Sequence, residues 1–170
     1  QDAIDAASQG DVIKVAGGVY TATAPSQAGS PPPVILVEEA VCLSGGYQVD
    51  DWSVPHSKSR PTIVDAELVP GRRGIFIDGS GVPTITVEGF RIRRGGHQVS
   101  EGGGVYVAGG SVLLEDNVID TCSAEDRGGG LFVAGGRVHL RNVTLRGSVA
   151  PYGGGLYIAE GSLRLERSTL

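Results

Sequence analysis

The chain has no methionine, only two cysteines and a single tryptophan in 170 residues. It also lacks any apolar run near the roughly 20 residues that a membrane-spanning helix requires, so no span is expected within these residues. Basic charge is in deficit: the formal net charge is −5, which does not indicate a nucleic-acid partner. No His or Cys spacing suits a metal, and no Gly-x-x-x-x-Gly-Lys pattern suits a nucleotide, so no cofactor is expected. Of the three histidines, His56 and His97 read as loop residues. His139, between Arg137 and Arg141, reads as an outward surface residue. Apart from the first few residues, no segment has a helical period. At this length the chain is one domain with room for a sizeable core.

What the chain has in excess is glycine, 28 residues, roughly double the usual ~7%. Glycine here is arranged rather than scattered. Gly102-Gly103-Gly104-Val105-Tyr106-Val107 recurs as Gly128-Gly129-Gly130-Leu131-Phe132-Val133 and as Gly153-Gly154-Gly155-Leu156-Tyr157-Ile158, with starts 26 and then 25 residues apart. Gly74-Ile75-Phe76-Ile77 is a weaker upstream copy. Ten residues after each triplet begins comes a second alternating run: Val112–Leu114, Val138–Leu140, Leu163–Leu165, with Ile85–Val87 upstream. A third short run follows in each copy, such as Phe90–Ile92 and Val143–Leu145. Three short strands of period two per cycle, repeated at a fixed interval, predict a coil in which one cycle is one turn. The expected fold is all-β, a right-handed parallel β-helix of about six turns, the first incomplete. Each turn stacks on the last at about 4.7–4.9 Å, with glycines at the corners where φ can be positive. Cys42 and Cys122 then lie about three turns, or roughly 15 Å, apart, too far for a disulfide.

Residues 1–10 are expected to hold a capping helix, Asp2 to Ser8, with Asp2 as N-cap, Ile4 and Ala7 on one face and Gly10 as the stop. Residues 11–73 are irregular turns with excursions at 21–33, 48–60 and 66–73, the second holding Trp52. Residues 74–170 are regular turns. The absence of an initiator methionine, and an end at Leu170 within the third strand of a repeat, point to a longer natural protein. The C-terminal edge is expected to continue in further turns or to pair with another chain.

The segments Gln1–Ala7, Gly10–Tyr20, Leu43-Ser44-Gly45-Gly46-Tyr47 and Pro61–Asp65, together with the Gly-Gly-Gly-aliphatic-aromatic repeats, resemble bacterial right-handed parallel β-helix proteins of the pectin-lyase-like superfamily, above all its uncharacterised secreted and surface members. The repeats are also similar to those of polymorphic outer-membrane proteins and autotransporter passengers, although the Phe-x-x-Asn motif of the former is missing. The resemblance covers nearly the whole chain. It implies an extracellular or cell-surface bacterial location, with any signal peptide outside these residues. The superfamily holds lyases, hydrolases, adhesins and scaffolds, so the resemblance speaks for fold more than for activity.

In such a coil, matching positions stack into columns. Ile75, Val105, Leu131, Leu156 and Ile77, Val107, Val133, Ile158 are expected inward. So are Ile85/Val87, Val112/Leu114, Val138/Leu140, Leu163/Leu165, and Ile92, Ile119, Leu145, Leu170. Outward, Glu88, Glu115, Arg141, Glu166 form one charged column and Arg93, Asp120, Arg146 another. The alternating signs read first as a solvated ladder of ion pairs. A catalytic face is the other reading, with Glu88 and Glu115 as the only candidate acid pair. Arg141 beside Glu115 opposes raising its pKa. The calcium cluster with an arginine base of pectate lyases and the aspartate trio of polygalacturonase-like hydrolases do not map onto the chain. Asp65 and Asp78 fall on different sheets. Asn142-Val143-Thr144 is a glycosylation sequon in form, and Asn142 reads as a corner residue. Phe76, Tyr106, Phe132 and Tyr157 occupy one column, each between two inward aliphatics, so alternation turns them outward. They are the candidate surface for a glycan or protein partner, unless the loop at 21–33 or the loop at 48–60 with Trp52 covers them. The expected function is a non-enzymatic scaffold or adhesion module. The alternative is a lyase or hydrolase acting on uronate-containing polymers.

Overall fold

The computed structural model of the protein describes residues 1–21, 24 and 32–170. Most of the 21–33 excursion therefore lies outside the described residues. The strands form three sheets. Sheet 1 runs β1 (Val12–Ala16), β4 (Cys42–Tyr47), β7 (Ile85–Glu88), β10 (Ser111–Glu115), β13 (Arg137–Arg141), β16 (Ser162–Glu166). Sheet 2 runs β2 (Gly18–Tyr20), β5 (Thr62–Asp65), β8 (Phe90–Arg93), β11 (Val118–Asp120), β14 (Thr144–Arg146). Sheet 3 runs β3 (Pro33–Val37), β6 (Arg73–Asp78), β9 (Val105–Gly109), β12 (Leu131–Val133), β15 (Leu156–Ile158). Pairing between these strands is parallel throughout. The chain visits the three sheets in rotation, so the fold is an all-β parallel solenoid of about five turns. The first turn, expected to be incomplete, has all three strands β1–β3; the partial turn is the last, where β16 leaves sheet 1 with one strand more than the others. Strand β2 is not among the runs that the alternation marks in the sequence. Its residues are exposed, and it forms by pairing Gly18–Tyr20 with Thr62–Val64.

The inward columns are buried as the alternation requires. Ile75, Val105 and Leu131 are at most 1% exposed, and Ile77, Val107 and Val133 are at 0%. Ile85, Val87, Val112, Leu114, Val138 and Leu140 line sheet 1, and Ile92, Ile119 and Leu145 line sheet 2. Each such side chain contributes about 1.5–3 kcal/mol on burial. In the last turn the same columns lose their cover: Ile158, Leu165 and Leu170 are 38%, 47% and 57% exposed.

The glycine triplets have two separate causes. The first glycine of each, Gly102, Gly128 and Gly153, has φ of 62°, 61° and 59°, a left-handed conformation that side chains disfavour. The third is a matter of space. A Cβ on Gly104 would lie 2.4 Å from the Gly130 carbonyl oxygen, and one on Gly130 2.5 Å from that of Gly155. The corner between sheets 1 and 2 is also left-handed, at Gly89, Asp116, Asn142 and Arg167. Asn142 is thus a corner residue, and its side-chain amide donates to the Asp116 carboxylate. Just after that corner the buried Asn117 accepts from the Phe90 amide at 2.8 Å and donates to the Val87 carbonyl at 2.7 Å, tying its turn to the one before.

The N-terminal helix is shorter than expected. α1 spans Asp2–Asp5, with Gln1 rather than Asp2 at the N-cap position and no side-chain cap. Without a capping hydrogen bond, and with acids but no base in its single turn, little sustains the helix to Ser8. Ile4 is buried and Ala7 packs beside it. The plug is partial. A cavity of about 290 Å³ remains under it, between Ile4, Ile13, Val15, Val34, Leu43 and Phe90.

Candidate functional site

The aromatic column stands on sheet 3, one ring per strand from β6 to β15. Phe76 pairs in register with Tyr106, Tyr106 with Phe132, and Phe132 with Tyr157. Successive ring centroids are 5.0, 5.2 and 5.8 Å apart, with interplanar angles of 5°, 33° and 9°. These are the near-parallel contacts of rings spaced by the turn repeat. Leu36 and Ala24 extend the column past Phe76 as a small apolar cluster.

The column is outward but not bare: cover from the 21–33 segment is one of the two alternatives read from the sequence, and Ala24 of that segment packs on Phe76, while the cover by arginines is not expected from it. Phe76 and Phe132 are 5% and 2% exposed, while Tyr106 and Tyr157 are half-buried. The cover has two sources. Ala24 packs on the Phe76 end, and two arginines lie over the rings. The Arg73 guanidinium carbon is 4.5 Å from the Tyr106 centroid and 5.5 Å from that of Phe76. That of Arg127 is 5.5 Å from Phe132 and 5.4 Å from Tyr157. The loop at 48–60 is elsewhere. Trp52 stacks on Tyr47 at 5.9 Å, and its carbonyl accepts from Lys14 on sheet 1.

Neither arginine was singled out from the sequence, although a signal existed. Arg127 stands directly before the second glycine triplet, in register with Glu101, and pairs with the Glu101 and Asp126 carboxylates. Arg73 stands before Gly74, where the later copies carry a further glycine. It is only 3% exposed, and its Nε and Nη1 make no hydrogen bond among the described residues. Burial pulls its pKa down to about 10, against the opposing fields of Tyr106 and Glu101. Burial first, and then the Glu101 charge, pushes the Tyr106 hydroxyl above its usual range.

The charged columns are in the expected register. Glu88, Glu115, Arg141 and Glu166 follow one another on sheet 1, and Arg141 binds the Glu115 carboxylate. Glu88 and Glu115 share a cleft of about 220 Å³ with Ser44, Ser57 and Asp116. On sheet 2 the ladder is re-paired. Asp120 takes Arg91 at 3.0 Å and Arg146 at 3.3 Å, whereas Arg93 turns to Asp65 at 2.7 Å. Asp65 is fully buried and also takes Arg94 at 2.8 Å. Burial alone would raise its pKa, but the hydrogen bonds from Arg94, the Glu67 amide and Arg93 outweigh it and hold the carboxyl below its usual range. Asp78 is on sheet 3, apart from Asp65. Among the described residues no group of three or more His, Cys, Asp or Glu side chains is placed to hold a metal. Among the described residues no helix is long and apolar enough to cross a membrane. No family model matches the chain, and no curated protein or solved structure matches it.

Proposed function

We propose that this chain is a non-enzymatic binding scaffold, an extracellular or cell-surface bacterial module that presents sheet 3 to a glycan or protein partner. The reading places the chain with the right-handed, pectin-lyase-like β-helices that its sequence resembles. The observation that carries it is the in-register column of four stacked rings flanked by two guanidiniums. Tyr106 and Tyr157 stay half-exposed, and Arg127, paired with Glu101 and Asp126, lies over Phe132 and Tyr157. Stacked rings with a few fixed polar groups are the elements by which sugars and protein surfaces are held. A glycan array and a pull-down of surface proteins test the reading. Tyr106→Ala and Tyr157→Ala are expected to weaken binding of the captured partner while the coil stays folded. Normal binding by both variants, together with a melting temperature lowered by several degrees, makes the column packing only and overturns the proposal.

The second reading is a lyase or hydrolase of uronate polymers. What favours it is the shared cleft of Glu88 and Glu115, register neighbours as a two-carboxylate mechanism needs. Against it stands the pairing of Glu115 with Arg141, which favours the ionised form of that carboxyl. Release of unsaturated or reducing ends from pectins, abolished by Glu88→Ala or Glu115→Ala, would establish it.

A further inference from the structure

The outward face of sheet 1 changes character along the solenoid. Its middle strands present Glu88 and Glu115, whereas β13 presents Arg137, His139 and Arg141 at alternate positions, about 6.6 Å apart at the strand rise. The next strand sets Arg164 beside His139 and Ser162 beside Arg137. A groove of about 540 Å³ runs along these residues, and Thr84 and Ser111 supply two further hydroxyls.

The local charge does not cancel. The residues lining the groove include two arginines, Arg137 and Arg164, and no carboxylate. Arg141 is held by Glu115. Glu166 is shared among Arg164 at 3.9 Å, Arg167 at 3.6 Å and the His139 Nε2 at 3.3 Å, the last without hydrogen-bond geometry. Arg137 is exposed and has no ion-pair partner among the described residues. In a chain of net charge −5 this is a local reversal of sign, built from guanidiniums and hydroxyls, the donors that suit a tetrahedral oxyanion.

We infer that this groove binds the sulfate esters of a linear polysaccharide, with Arg137 and Arg164 as the charged anchors and Ser111 and Ser162 as neutral donors. Two features choose this occupant. Glu166 stands against the lining residues His139 and Arg164, and it repels a phosphate monoester of nearly double charge more than a singly charged sulfate ester. No Phe, Tyr or Trp lines the groove to stack the bases of a nucleic acid. The site is on a different sheet from the aromatic column and stands without it.

Titration of the protein with dextran sulfate, with unsubstituted dextran and with dextran phosphate, which carries phosphate monoesters on the same chain, tests the inference. Dextran sulfate is expected to bind, more weakly as salt rises, and dextran not at all. The double variant Arg137→Gln/Arg164→Gln should lose about tenfold or more in affinity, as expected for charge-assisted contacts. Both residues are exposed, so far-UV circular dichroism should be unchanged. The control Lys58→Gln/Arg60→Gln removes the same charge outside the groove and should bind as the parent does. Tyr106→Ala/Tyr157→Ala should also bind dextran sulfate normally, which separates this site from the column. Absence of binding, an equal loss in the Lys58/Arg60 control, or equally tight binding of dextran phosphate with the same sensitivity to the variants would each overturn the inference.

Discussion

Arg73 holds a charged guanidinium in a place that does not pair it, and this has a measurable consequence. Its pKa falls from 12.5 to about 10. At 1.36 kcal/mol per unit, keeping it protonated costs the folded state about 3 kcal/mol. Contacts with the Phe76 and Tyr106 faces return about 2 kcal/mol when desolvated. Arg73→Met keeps the length of the side chain, removes the charge and leaves an apolar stem over the same rings, so it should be neutral or should stabilise the protein by about 1–3 kcal/mol. Urea unfolding at neutral pH reads the difference. The sign of the pH dependence is fixed as well. Between about pH 10 and 12.5 the unfolded chain binds the Arg73 proton and the folded chain releases it. Stability of the parent should therefore rise relative to Arg73→Met across that window, and the gap between the two should narrow. A loss of more than about 1 kcal/mol on Arg73→Met would refute the reasoning, because it would mean that the guanidinium interacts with the rings and Glu101 more strongly than its burial costs it.

Gly104→Ala places a methyl group 2.4 Å from the Gly130 carbonyl oxygen and should cost about 2 kcal/mol or more by overpacking. Gly155→Ala, with nothing within 4 Å, should be nearly neutral in the same thermal melt. Equal effects would remove the steric account of the triplet. Asp65→Asn leaves Arg93 and Arg94 without their buried carboxylate and should cost about 3 kcal/mol at pH 7. Because the folded-state pKa of Asp65 is depressed, its contribution is full above the unfolded value near 3.9 and is lost as pH falls through the lower folded value. The parent and Asp65→Asn should therefore converge in acid unfolding, and a gap that persists at low pH would argue against the ion pairs.

The sequence by itself determined the coil. A cycle of 25–26 residues with three period-two runs leaves few ways to bury the aliphatic positions, and the strict alternation of Val105-Tyr106-Val107 and its copies sets which side chains face inward. The same alternation put Phe76, Tyr106, Phe132 and Tyr157 in one column and Glu88, Glu115, Arg141 and Glu166 in another, because stacking in register needs only the repeat length. The tertiary structure decided what lies on top of those columns. Whether an outward ring is exposed depends on residues from the corners and from distant segments. Arg73, Arg127 and Ala24 approach sheet 3 along paths that no period encodes, and they buried two of the four rings. Ion pairing shows the same division. The register places Arg93 between Asp65 and Asp120, and Asp120 between Arg93 and Arg146, but side-chain reach chose among these neighbours: Arg93 binds Asp65, and Asp120 takes Arg146 and the off-register Arg91. The short α1 follows the same logic: propensity proposed seven helical residues, and the absence of a cap left four. Backbone periodicity is a local property repeated along the chain, whereas cover and pairing are set by side chains meeting across turns, and only the folded molecule brings those together.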